Sequence, residues 1–170
     1  MTSKKKNCSN ISISSIVRSS SLANNALNRR FYADYPGQKL LTDVVTYVRY
    51  YEQNQWHWGY LSVILDLYDR SVVSWVYSKR QDLQLAMRTL KLLSFKKLHP
   101  DALLHSDQGY IYTARAFREE LKRMGIKQSL SRAGNCHDNA PMESFNGILK
   151  VEGLRNQAFG IAPTPKLSIR

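Results

Sequence analysis

From Leu40 to Tyr47 the chain is rich in β-branched and aromatic residues, a strand pattern in which Leu41, Asp43 and Val45 share one face. The polar and aromatic stretch from Arg49 to His57 reads as a loop, and Trp58 to Leu67 as a second apolar strand. A tight connection at Asp69-Arg70 leads to a third strand, Ser71 to Tyr77; such short links predict an antiparallel meander. Asp82 can cap a helix in which Leu83, Ala86, Met87, Leu90 and Leu93 recur at the 3.6 period, while Arg88, Lys91, Lys96 and Lys97 face elsewhere. His99-Pro100 ends it, and a short apolar run, Ala102 to Ser106, stops at Asp107-Gln108-Gly109 as a buried strand meeting a turn. Thr113 is expected to cap a second helix carrying Phe117, Leu121 and Met124, closed by Gly125 in a left-handed position. Ile126 to Ser131 is a further strand and Arg132 to His137 a polar loop. Asp138-Asn139-Ala140-Pro141 then starts a last helix, with Phe145, Ile148 and Leu149 at helical spacing. Three antiparallel strands are thus followed by helix, strand, helix, strand and helix, an α/β mixed five-stranded sheet with helices on both faces, its later strands parallel because helical crossovers join them.

Outside this pattern, residues 1–22 are Ser-rich with a Lys4-Lys5-Lys6 run, a composition too poor in apolar groups to order itself, and are expected to be a disordered tail. Residues 23–38 read as a linker ending in the Tyr35-Pro36-Gly37 turn, residues 39–155 as one folded domain, and residues 156–170 as an irregular tail. A 170-residue chain that is 43% apolar can bury a real core. Its 25 Lys and Arg against 13 Asp and Glu give a net charge of +12, which favours a polyanion as partner. Cys8 and Cys136 make no disulfide framework, and His57, His99, His105 and His137 show no zinc spacing. With no apolar run of membrane-spanning length and no signal-peptide core, the expectation is a soluble, cytoplasmic protein with no membrane partner.

Two acids change the picture. Asp107 stands at the C-terminal end of a strand and Glu143 in the first turn of a helix; Asp43 adds a carboxylate among apolar strand neighbours, where an unpaired charge is expensive. Carboxylates gathered by folding suit a hard, oxygen-ligated cation such as Mg²⁺. Taken singly, Glu143 also serves as a partner of the helix dipole and Asp107 as a turn former. Asp66, a further acid in an apolar strand, lies next to a turn and is given a structural place.

The motifs Ala23-Asn24-Asn25, Thr42-Asp43-Val44, Tyr60 to Leu67, His105-Ser106-Asp107-Gln108-Gly109, Ser131 to Cys136, Asp138-Asn139-Ala140 and Glu143-Ser144-Phe145 together resemble the integrase core of bacterial insertion-sequence transposases of the two-reading-frame type. The resemblance runs from about Ala23 to Arg155 and implies a ribonuclease-H-like fold. In that family two Asp and one Glu form a metal site; thirty-five residues separate the second Asp from the Glu, and a Lys or Arg follows seven after it. Asp107, Glu143 and Lys150 have that spacing here. The resemblance therefore implies Asp43, Asp107 and Glu143 as catalytic and metal-binding residues for two Mg²⁺ or Mn²⁺ ions, and Lys150, Arg132 and Asn139 as DNA contacts. It implies cleavage and strand transfer on double-stranded DNA, at element ends and target, by a homo-oligomer assembled on that DNA.

The sequence departs from the family in three ways. Thr42-Asp43-Val44-Val45-Thr46-Tyr47 has one residue more than the family's Thr-Asp-Ile/Val-Thr-Tyr, read as a bulge. No helix-turn-helix pattern precedes the core, and the sequence after Arg155 breaks up at Phe159 to Pro165, so the chain is expected to be a copy shortened at both ends, with weak activity. Two alternatives stay open: a DNA-binding remnant without chemistry, and a nuclease of the same fold without strand transfer.

Overall fold

The computed structural model describes residues 22–153; the tails expected at either end lie outside them, Leu22 excepted. β1 (Lys39–Glu52), β2 (Gln55–Asp66) and β3 (Val72–Ser78) form the antiparallel meander, and β4 (Leu103–Ser106) and β5 (Lys127–Leu130) extend it in parallel, giving the order β3-β2-β1-β4-β5. The expected Arg49–His57 loop is instead paired strand: Glu52 faces Gln55 across a two-residue turn. Gln53 and Asn54 take φ of 50° and 65° there, the left-handed pair that matches strand twist in tight hairpins, without the glycine that usually announces it. The extra residue near Asp43 is Tyr47, bulged where pairing slips between Thr46 and Val48, so Asp43 keeps an unbroken register opposite Val63.

The crossover from β3 to β4 is α1 (Leu83–Leu93). Asp82 caps it through a 3.0 Å bond from the Leu85 amide, and its apolar stripe buries Leu85, Ala86, Leu90 and Leu93 against the sheet. The second crossover is broken in two, α2 (Tyr110–Thr113) and α3 (Arg115–Arg123), because Ala114 is extended at ψ 139°. Thr113 is therefore no cap; its hydroxyl bonds back to the Gly109 carbonyl. Gly125, at φ 71°, closes α3 as expected. A 3₁₀ turn (Cys136–Asn139) leads into α4 (Ala140–Ile148), which passes into a π-helical turn (Leu149–Gly153).

Side-chain alternation splits the core in two. Leu40, Val44, Ile64 and Leu104 meet α1 and α3 through Leu85, Leu90, Phe117 and Leu121. Leu41, Val63, Leu65 and Leu103 meet the buried Met142 of α4 on the opposite face. That second face is completed by the segment read as a linker: Leu27 and Ala33 are buried in it, and the Leu27 amide bonds Ser129 Oγ at 3.0 Å. Among the described residues no helix is long and apolar enough to cross a membrane.

Candidate active site

The parallel register pairs Leu41 with His105, so two residues further along each strand Asp43 and Asp107 leave the same edge of the sheet on the same face. That is the face covered by α4, whose first turn carries Glu143 and whose Asn146, one turn on, donates from Nδ2 to Asp43 Oδ2 at 2.9 Å. The carboxyl of Asp43 is pushed up from an ordinary 3.8 to about 6. Burial is the largest cause and the charge of Asp107 the next; the Val44 amide and Asn146 pull it partly back, and the charge of Glu143 adds the smallest push. No cation offsets it among these causes. The buried hydroxyl of Tyr112 is raised by burial and then by the charge of Asp43, so the field of the acids reaches through the sheet.

Asp107 and Glu143 are exposed, whereas Asp43 is half-buried. Asp107 accepts a 2.8 Å bond from the Gly109 amide, and a Cβ on Gly109 would come within 2.9 Å of its Oδ1, so that glycine lets the backbone close under the carboxylate. Asp43 and Asp107 are thus brought together and Glu143 within electrostatic reach, but among the described residues no three Asp, Glu, His or Cys side chains are grouped so as to hold a metal ion. The chemistry of the donor set fits a hard divalent cation: oxygen donors only, with an uncompensated negative charge that a cation would relieve. The nearby imidazole is not available, because buried His105 spends Nδ1 on Ser129 Oγ at 2.8 Å and Nε2 on Ser131 Oγ at 3.0 Å, and burial lowers its pKa.

The residues expected at DNA fare differently. Lys150 is exposed in the π-helical turn. Arg132 is half-exposed but holds Asp138 through Nε and Nη2, at 2.9 and 2.7 Å. Asn139 is buried at 6% exposure with its Oδ1 enclosed, so in this geometry it offers a duplex no surface. Neither Asp138 nor Asn139 caps α4. Asp66 is structural: its carboxylate accepts the Gly37 amide at 2.7 Å and the Tyr68 amide at 3.0 Å. Sequence reasoning misses Asn146, although it lies three residues from Glu143 on the same helix face; it reads Gly109 and Asp138 only as a turn residue and a helix start, without their bonds to Asp107 and to Asn25 and Arg29.

A five-stranded mixed sheet of order β3-β2-β1-β4-β5 with helices on both faces is the ribonuclease-H-like architecture. The chain belongs to the integrase core domain family, which matches residues 33–136. It is 37% identical over 139 residues to the transposase InsF for insertion sequence IS3A of Escherichia coli K12, a match covering 81% of this chain and 46% of that protein. To the putative transposase InsK for insertion sequence element IS150 of the same strain it is 42% identical over 132 residues, covering 76% and 44%. The chain thus spans about half the length of the curated relatives it matches. Among solved structures, a chain of the simian T-cell lymphotropic virus intasome in complex with PP2A regulatory subunit B56 gamma superposes with a TM-score of 0.60 at 19% identity, covering 76% of this chain and 46% of that one. The HTLV-2 integrase catalytic core domain in complex with magnesium, in its trimeric form, gives 0.52 at 20% identity over 70% of each chain. These likenesses establish the fold.

Proposed function

We propose that this chain is the catalytic core of a transposase that cuts and joins double-stranded DNA, with Asp43, Asp107 and Glu143 as the carboxylates that hold two Mg²⁺ or Mn²⁺ ions. The observation that carries the reading is the raised pKa of Asp43, caused by burial and by the charges of the other two acids, at the sheet edge of an integrase-core fold. A structural acid is matched with donors; this one is set against like charges, which a divalent cation relieves. When bound, such a pair of ions supplies charge stabilisation to the attacking and leaving oxygens of an in-line displacement at phosphorus.

The chain's own residues prepare that displacement. Asn146 orients Asp43, and the Gly109 amide orients Asp107, so two carboxylates are fixed before DNA arrives. In the first step a water oxygen bonds to phosphorus and the 3′ oxygen leaves as a hydroxyl; in the second that hydroxyl attacks a target phosphodiester, whose own 3′ oxygen leaves, with no bond to the protein. Lys150 holds a neighbouring phosphate, a contact that positions without reading sequence. The net charge of +12 supports DNA as the polyanion; the setting of this reading is the cytoplasm, with the chain acting as a homo-oligomer assembled on that DNA.

The test is to incubate purified protein with Mn²⁺ or Mg²⁺ and a duplex ending in the element's inverted repeat, beside a scrambled duplex and a target plasmid. Metal-dependent nicking and joined products are expected, both lost in Glu143→Gln and Asp107→Asn. Nicking that persists unchanged in Glu143→Gln would overturn the assigned carboxylates, and nicking without joining would reduce the reading to a nuclease.

A further inference from the structure

Asp138 is fully buried, five residues before Glu143, and the proposed carboxylate chemistry makes no use of it. Five donors converge on it. Arg132 supplies its amide at 3.0 Å, Nε at 2.9 Å and Nη2 at 2.7 Å; Arg29 supplies Nε at 2.7 Å; and Asn25 supplies Nδ2 at 2.9 Å. Arg29 Nη2 also reaches Asn135 Oδ1 at 2.9 Å. These bonds, Arg132 foremost, hold the Asp138 carboxyl far below the usual carboxylate range, so it is ionised at any working pH.

The network joins segments more than a hundred residues apart at a sensitive point. The helix that carries Glu143 has no side-chain cap at its start, and its first turn is held on the sheet side by the buried Met142. On the polar side what ties that end down is Asp138, two residues before Ala140, and what holds Asp138 in place includes the segment 22–38. That segment is itself fixed to the sheet by Leu27 and by the bond from Leu130 N to the Asn24 carbonyl at 3.4 Å.

We infer that Asn25, Arg29, Arg132 and Asp138 form a clamp that fixes the start of α4, and through it the position of Glu143, making Arg29 and Asp138 positioning residues. The role of Glu143 rests on the proposed function; the clamp itself does not. A carboxylate displaced by about 1 Å can cost a hundredfold in rate, so a clamp outside the site is worth having only if it acts on that scale.

Arg29→Ala is the useful perturbation, because Asp138 keeps Arg132 and the fold is retained, whereas Asp138→Ala would leave Arg132 without its partner and could unfold the loop. In the metal-free protein, hydrogen exchange of the amides of residues 136–148 should quicken by about tenfold or more while those of α1 stay unchanged. In the same variant the Mn²⁺ concentration for half-maximal nicking should rise by about fivefold, with Arg29→Lys recovering part of both effects by keeping one charged donor. Unchanged exchange over 136–148, or exchange that rises equally in α1, overturns the clamp. Faster exchange with an unchanged Mn²⁺ requirement overturns the positioning of Glu143. Failure of the wild type to nick DNA strikes the proposed activity alone, since the exchange result still decides the clamp.

Discussion

Replacing Asp43 by Asn should stabilise the metal-free protein at neutral pH while abolishing its chemistry. The carboxyl is raised from 3.8 to about 6, so the folded state holds a proton that the unfolded state releases between those values. Stability from this group is therefore complete below pH 3.8 and is lost as pH rises to 6; above 6 the full cost of a desolvated charge beside Asp107 remains. Integrating that difference gives about 3 kcal/mol at pH 7.5, about 1 kcal/mol at pH 4.5 and a few tenths at pH 3.5, of which solvent screening at a half-buried group leaves about 1–3 kcal/mol at the neutral end. Asparagine removes the charge and keeps the shape, and its Oδ1 can still accept from Asn146 Nδ2.

Urea unfolding followed by tryptophan fluorescence suits the measurement, with Trp58 and Trp75 both in the central sheet. The Asp43→Asn variant should gain about 1–3 kcal/mol over wild type at pH 7.5 in the absence of divalent metal, a shift of roughly 2–10 °C in Tm, and the gain should shrink toward zero as pH falls to 3.5. A variant less stable than wild type at pH 7.5, or a gain independent of pH, would refute the argument that Asp43 is held against like charge. Millimolar Mg²⁺ should narrow the gap by stabilising wild type alone.

The remaining predictions follow from other contacts. Gly109→Ala puts a methyl against Asp107 Oδ1, so nicking should fall about tenfold or more while Tm stays within a degree or two, since only a flexible carboxylate must move. Asp66→Ala leaves the Gly37 and Tyr68 amides without their acceptor and should cost about 1–3 kcal/mol in urea unfolding, with no change in the metal requirement of any activity retained. Lys150→Ala should weaken binding to arbitrary duplex alike for all sequences and lower the slope of log affinity against log salt by about one; an unchanged slope would remove Lys150 from the phosphate contacts.

The sheet was legible because alternation and apolar runs record burial directly. The Asp82 cap and the Gly125 stop are local patterns, and each appears where the spacing puts it; of the expected stripe Ala86, Leu90 and Leu93 are buried, while Leu85 takes the place in the core that Leu83 and Met87 only partly fill. The hairpin tip escaped because Gln53-Asn54 carries no turn glycine and the paired flanks are polar and aromatic rather than alternating. The break at Ala114 escaped for a related reason: no proline or glycine marks it. Residues 23–38 looked like a linker since their few apolar groups are scattered; their order comes from Ser129, Leu130 and Asp138, partners no local window contains. Asp138 itself, an Asp just before a proline-led helix start, imitates a cap, and only the donors from Asn25 and Arg29 reveal what it does.

Three acids enclosed by this fold show why charge balance rather than burial marks the candidate site. Asp66 lies at 3% exposure and is answered by two backbone amides; Asp138 is fully buried and is answered by two guanidinium groups and an amide side chain. Asp43 is less buried than either, yet its side-chain partner is the single neutral amide of Asn146, and its charged neighbours are Asp107 and Glu143. Burying a carboxylate costs several kcal/mol unless donors or a cation compensate, and a fold that compensates two of its acids fully has the means to compensate the third. The uncompensated position is the one whose neighbours are all negative, at the end of the central strands, facing the helix that the Asp138 clamp holds in place. A cation supplied from solution completes that balance, whereas any Lys or Arg built into the same spot would occupy the place the cation needs.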